Sequence, residues 1–157
     1  MELRPLPNMI RKHFTAVDVV SRWTVTTVRS SASAATAREF LDRLIARSPY
    51  PIKAIQVDGG SEFMAEFEAG CQERGIKLFV LPPRSPKLNG RVERANRSCR
   101  QEFYECYADD LHLPALQAAL EQWEHAYNHQ RPHQALGYAT PAAFLQQRAE
   151  QQLSRTY

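Results

Sequence analysis

Two carboxylates stand out by type and setting. Asp58 closes an apolar run, Ile52-Lys53-Ala54-Ile55-Gln56-Val57, and is followed at once by Gly59-Gly60. Glu93 lies 35 positions further on, just past the proline-rich stretch Pro82-Pro83-Arg84-Ser85-Pro86-Lys87-Leu88-Asn89-Gly90. The spacing predicts Asp58 at the end of a strand and Glu93 in the first turn of a helix capped by Asn89. Two such oxygens brought together would suit hard divalent cations. Around Glu93 the charge is reversed. Residues 84–100 hold Arg84, Lys87, Arg91, Arg94, Arg97 and Arg100 against one acid, a local +5 that exceeds the whole chain's +3. Such a strip is the footprint of a polyanion binder, and cations beside paired carboxylates suit a phosphodiester.

These residues need a scaffold. Residues 13–20 and 23–28 are rich in β-branched and apolar types and read as two adjacent strands joined at Ser21-Arg22. Residues 5–8 read as a turn that ends an earlier strand near Leu3. A helix capped by Ser33 carries Ala37, Phe40, Leu41, Leu44 and Ile45 at helical spacing and stops before Pro49 and Pro51. Residues 52–57 form a buried strand, 61–74 a helix closed by Gly75, and 76–81 another strand. Pro82, Pro83 and Pro86 hold 82–88 out of helix. The next helix runs to about Tyr107. Residues 113–128 form an amphipathic helix with Leu116, Leu120, Trp123 and Tyr127, and Thr140-Pro141 opens a last one whose Gln-rich end frays. This order implies an α/β domain with a mixed sheet, antiparallel first and parallel later.

The chain's 157 residues fit one domain whose fold buries roughly 70% of its unfolded surface. No segment has the length of a membrane span. Cys71, Cys99 and Cys106 lack CxxC spacing and read as reduced thiols of a cytosolic protein. His125, His129 and His133 are four apart, but Pro132 separates the third, and no zinc-type partner lies nearby in sequence.

Each signal has a plain explanation. Asp-Gly is a turn dipeptide. Glu93 sits four before Arg97, a pairing worth about 0.3–0.5 kcal/mol on a helix surface. The arginines suit a solvated face, and the prolines a stiff connector. Their joint order is more specific. Val57-Asp58-Gly59-Gly60-Ser61-Glu62-Phe63, then Gly75-Ile76, then the prolines, then Asn89-Gly90-Arg91-Val92-Glu93-Arg94-Ala95-Asn96 resembles the DDE catalytic core of retroviral integrases and insertion-sequence transposases. Residues 16–22 resemble that core's second strand. Tyr127-Asn128-His129-Gln130-Arg131-Pro132-His133, followed by Leu136-Gly137 and Thr140-Pro141, resembles the tail of bacterial insertion-sequence transposases.

The resemblance implies an RNase H-like fold with a five-stranded mixed sheet, its first strand incomplete or missing, flanked by helices. Residues 1–110 would form the core and 111–157 a C-terminal helical extension of a single domain. It implies divalent-metal-dependent cleavage and strand transfer on DNA for integration and transposition. Asp58 and Glu93 would be the second and third catalytic, metal-binding carboxylates, with Mg²⁺ or Mn²⁺ as cofactor. The first carboxylate would fall just ahead of Met1, so the expectation is a weakly held ion and impaired activity. Arg84, Lys87, Asn89, Arg91, Arg94 and Arg97 would contact DNA, both transposon ends and target. The implied assembly is a homodimer or higher oligomer, nucleoid-associated in the bacterial cytoplasm and away from membranes. The competing class is a non-catalytic DNA-binding or assembly remnant of the same fold. A nuclease acting on RNA–DNA hybrids fits the Asn-Gly-Arg-Val-Glu segment and the Arg-Pro-His tail less well.

Overall fold

The structure is a computed structural model that describes residues 1–6, 9–63, 65–82 and 86–154, with the side chains of 4–6 and 86–89 outside the description. Among the described residues five strands form, in two groups. β1 (Glu2–Leu6), β2 (Met9–Val17) and β3 (Thr24–Arg29) make an antiparallel sheet in that order. β4 (Ala54–Val57) and β5 (Lys77–Val80) pair parallel, from Ala54↔Lys77 to Val57↔Val80.

The single five-stranded sheet is therefore corrected to three strands plus two among the described residues. The first strand is present rather than missing, with Leu3 opposite Arg11. Pro5 within it has no N–H for a further neighbour, and the register shifts between Leu3 and Leu6, both properties of an edge. Of the turn expected over 5–8, residues 5 and 6 belong to β1, and 7–8 lie outside the described residues.

β2 ends at Val17, earlier than Val20, because Asp18 closes a turn. Its Oδ2 accepts bonds from the N–H of Val20 and from both the N–H and the hydroxyl of Ser21. Helix α1 (Ala34–Arg47) starts at Ser33 in a capping box with Thr36 and ends at Ser48, one residue before Pro49. The helix expected over 61–74 is broken. A 3₁₀ turn (Ser61–Phe63) precedes α2 (Glu66–Glu73), and Ala65 at φ 55° interrupts the right-handed run between them. Gly75 closes α2 at φ +66°, a conformation that favours glycine.

Helix α3 spans Pro86–Cys99 and continues through a π-helical turn, Arg100–Tyr104. Pro86 thus begins the helix instead of lying outside it, as proline's fixed φ and missing N–H allow at a first position. Asn89 is within the helix and is not its cap. Glu93 consequently sits two turns in, beyond the reach of the first-turn dipole. Helices α4 (Leu113–His129) and α5 (Pro141–Ser154) follow. Thr140 Oγ1 accepts from the N–H of Ala143, as its capping position predicts, and α5 stays helical to Ser154 without fraying after Gln146. No described helix is long and apolar enough to cross a membrane.

The pleat divides the core. Phe14 and Val25 point to one face and pack with Phe40 and Leu41 of α1 and Phe67 and Cys71 of α2. Val28 points to the other face, against Cys99, Phe103, Leu116 and Leu120. The outer edge of β3 is closed by side chains of α4 instead of a strand. Asn128 accepts from Thr24 N–H (2.9 Å) and donates to Thr24 C=O (2.7 Å). Glu124 Oε2 accepts from the N–H (2.6 Å) and hydroxyl (2.9 Å) of Thr26. Gln117 Oε1 accepts from Val28 N–H (2.9 Å). Positions 117, 124 and 128 share a helical face, and alternate strand residues present their N–H groups to it.

Glu124 is 2% exposed and also accepts from Arg47 Nε at 2.7 Å. Glu124→Ala would leave Thr26 N–H without its acceptor and Arg47, itself partly exposed, without its partner. It is expected to lose about 2–3 kcal/mol in urea unfolding. Glu39→Ala, which removes the exposed pair with Arg29, should lose about 1 kcal/mol or less. Equal losses would show that the edge closure carries no special stability.

Candidate active site

A cleft of about 1620 Å³ runs across the molecule between β2, the end of β4 and α3. Asp58 lines it, exposed, one residue past β4. Gly59 at φ +74° turns the chain sharply away, and a side chain there would press on Val80 Cγ1 at 3.4 Å. Glu62 of the 3₁₀ turn lines the same cleft. Both acids act on the α-amino group of Met1, whose pKa is lowered by burial while Asp58 and then Glu62 oppose the shift. The start of β1, the end of β4 and the 3₁₀ turn all line this one cleft. Glu62 was not singled out from the sequence, since one more acid after a glycine turn carries no periodic signal.

Helix α3 supplies the other wall. Arg91, Val92 and Arg94 line the cleft; Glu93, between them, is exposed but is not among its lining residues. Glu93, Arg97 and Arg100 fall at i, i+4 and i+7 and share a stripe turned away from buried Ala95 and Cys99. Arg97 is exposed on that stripe. Arg84 lies outside the described residues. Lys87 and Asn89 are in the first turns of α3, with side chains outside the description. Among the described residues, no three His, Cys, Asp or Glu side chains gather as a metal-holding group. Asp18 is committed to its turn. Burial raises its pKa, but the Ser21 bonds outweigh this and hold it below the usual carboxylate range. His125 and His129 stack at 4.2 Å on the exposed face of α4, whereas buried His133 approaches the carbonyl of Tyr127.

A polar chain centred on buried His13 anchors α3 to the sheet. His13 Nδ1 lies 3.0 Å from Tyr104 Oη, His13 Nε2 lies 2.5 Å from Thr15 Oγ1, and Thr15 donates to Asn96 Oδ1 at 2.7 Å. The directions close when Nε2 carries the imidazole proton and Tyr104 donates to Nδ1. Neutral His13 is then fully satisfied. Burial, with the Met1 amine adding, pushes its pKa down to about 3. The chain links residues up to 91 positions apart, a pairing with no local sequence signal.

Two models described as integrase core domain match the chain, over residues 7–86 and 74–141. The insertion element IS476 uncharacterized 39.2 kDa protein of Xanthomonas euvesicatoria is 31% identical over 137 residues, covering 85% of this chain and 38% of that protein. The putative transposase InsD for insertion element IS2E of Escherichia coli (strain K12) is 37% identical over 93 residues, covering 59% of this chain and 42% of that protein. The chain thus spans less than half the length of these curated relatives. A cryoEM structure of a simian T-cell lymphotropic virus intasome in complex with PP2A regulatory subunit B56 gamma aligns with TM-score 0.74 at 24% identity, over 85% of this chain and 47% of that one. At that identity the likeness establishes the fold, the RNase H-like core.

His13's folded pKa lies below imidazole's ordinary 6.5, so the unfolded chain takes up the proton first as pH falls. The stability this contributes is complete above 6.5 and is lost as pH drops toward about 3. Between about pH 7.5 and about pH 5, unfolding free energy should fall by about 2 kcal/mol from His13 alone. His133, whose pKa burial also lowers, adds in the same direction. Urea titrations at both pH values check this: His13→Gln should shrink the difference, and an unchanged difference would refute the assignment.

Proposed function

The chain belongs to the integrase core domain family, and from that footing we propose that it is the catalytic core of an insertion-sequence transposase. It would cleave and rejoin DNA phosphodiesters with a divalent metal, the general requirement of this family. The observation that supports the reading is that the start of β1, Asp58 at the end of β4 and Glu62 of the 3₁₀ turn line one cleft with Arg91 and Arg94 of α3.

The donor chemistry fits Mg²⁺ or Mn²⁺. Asp58 offers an exposed carboxylate to the cleft, and Mg²⁺ is commonly held by one or two carboxylates with waters completing its shell. Asp58 would hold the ion from the cleft, with Glu93, exposed on α3 outside the cleft lining, as the second carboxylate of the reading; when bound, the ion would supply activation of the attacking oxygen and stabilisation of the leaving one. Arg91 and Arg94 would bind the DNA backbone along the α3 wall, joined by Arg84, Lys87, Asn89 and Arg97. Such contacts position the duplex and carry little sequence information. The DNA would comprise transposon ends and target, engaged by a dimer or higher assembly.

The lack, among the described residues, of three gathered metal ligands favours a second reading, a non-catalytic DNA-binding or assembly module. One assay separates the two. Nicking of a labelled duplex carrying element ends is measured with and without Mg²⁺. Asp58→Asn and Glu93→Gln should each reduce it by about 100-fold or more, with DNA affinity changed about 2-fold or less. Nicking untouched by Asp58→Asn would overturn the catalytic assignment. DNA binding with no metal-dependent nicking by the unaltered chain would establish the second reading.

A further inference from the structure

Arg22 lies in the turn between β2 and β3, outside the basic strip of residues 84–100. Its Nη1 donates to the carbonyl of Val19 at 2.8 Å. Arg91 of α3 donates its own Nη1 to the same carbonyl oxygen at 2.6 Å. Two guanidinium groups from segments far apart in sequence thus converge on one neutral acceptor, within a few ångströms of each other. Among the described residues neither has a carboxylate within ion-pair distance. Asp18, the nearest acid along the chain, has Oδ2 occupied by three donors of its own turn. One carbonyl dipole does not offset the mutual repulsion of two full charges.

The backbone holds this arrangement against local preference. Arg22 has φ 64°, an uncommon conformation for a residue with a side chain. The turn is tied by Arg22 N–H to Asp18 C=O at 3.1 Å, by Asp18 N–H to Trp23 C=O at 2.8 Å, and by the Asp18–Ser21 bonds. Arg22 is half-buried. Its pKa is lowered, first by burial, then by the charge of Arg91, with Arg94 adding and Tyr127 and Asp18 opposing. Arg22, Arg91 and Arg94 all line the cleft that holds Asp58. Each guanidinium keeps four N–H donors beyond the one spent on Val19, in the planar fork that matches phosphate oxygens.

We propose that Arg22 and Arg91, yoked through the Val19 carbonyl, form a clamp for a single DNA backbone phosphate. The clamp rests on the DNA reading above. It makes Arg22 a DNA-binding residue, and the unusual turn is what presents it. An anion between the two forks relieves the repulsion that the unliganded pair carries.

The test is DNA binding in the absence of divalent metal, so that failure of the carboxylate chemistry leaves it unaffected. Affinity of the full chain for a duplex oligonucleotide is measured by fluorescence anisotropy across a salt series. Arg22→Asn should weaken binding about 5-fold or more and flatten the dependence of log Kd on log salt by less than one, because Arg91 still neutralises the shared phosphate. Asparagine tolerates positive φ, so this variant should keep or raise the thermal unfolding midpoint, which separates lost binding from lost folding. Arg91→Gln should weaken binding similarly. The double variant should lose less than the product of the single losses, because both residues serve one phosphate. A folded Arg22→Asn variant with unaltered affinity and salt slope would overturn the clamp. Strictly multiplicative losses would overturn the shared phosphate. Loss of nicking in Asp58→Asn with the clamp variants binding normally would sink this inference and leave the proposed function standing.

Discussion

The outer edge of β3 is the constraint from which the rest of the molecule follows. A three-stranded sheet has two edges, and an uncovered edge leaves a row of N–H and C=O groups unpaired. Here Asn128, Glu124 and Gln117 of α4 meet Thr24, Thr26 and Val28 in turn, and Arg43 Nε takes the carbonyl of Thr26 at 2.8 Å. The helix substitutes for a strand by presenting an amide, a carboxylate and an amide at the spacing of alternate strand residues. Once α4 is seated, Arg131 just beyond it grips Glu102 with Nε and Nη2, at 3.0 and 2.7 Å to Oε1. Glu102 belongs to the π-helical turn that prolongs α3. The placement of Arg91 and Glu93 is thus coupled, through two docking steps, to the edge of a strand they do not touch.

The chain from Tyr104 through His13 and Thr15 to Asn96 pins α3 a second time, from the sheet side. It works with a neutral imidazole, whose donor and acceptor nitrogens are both used. Between these anchors runs the cleft, lined by Asp58 and Glu62 and by Arg22, Arg91 and Arg94.

Much of the scaffold is readable along the chain because its signals are local. Ser33 with Thr36, Pro49 after Ser48, Gly75 after α2, and Thr140 ahead of Pro141 each act over a few residues, and each lies where its chemistry predicts. The failures are also physical. Pro86 is as compatible with the first position of a helix as with the loop before it, so α3 starts earlier and Glu93 moves from the first turn to the helix interior. Val19 and Val20 have strand-like side chains, yet the Asp18 carboxylate captures the backbone there and ends β2. Helical spacing of Phe63 and Phe67 survives a break at Ala65, because both rings still pack, at 5.1 Å between centroids.

Taken by itself, the amino-acid order determined the periodic and capping features, the basic strip, and the motif order that marks an integrase core. The periodic and capping features depend on neighbours within about one or two helical turns, and the motif order on the linear succession of such segments. Tertiary structure alone decided which polar groups meet: Thr24 with Asn128 across 104 positions, Thr26 with Glu124 across 98, Arg91 with the Val19 carbonyl across 72. Such contacts have no period, because they arise where separate elements dock, and each buried donor takes whichever acceptor the docking brings within reach.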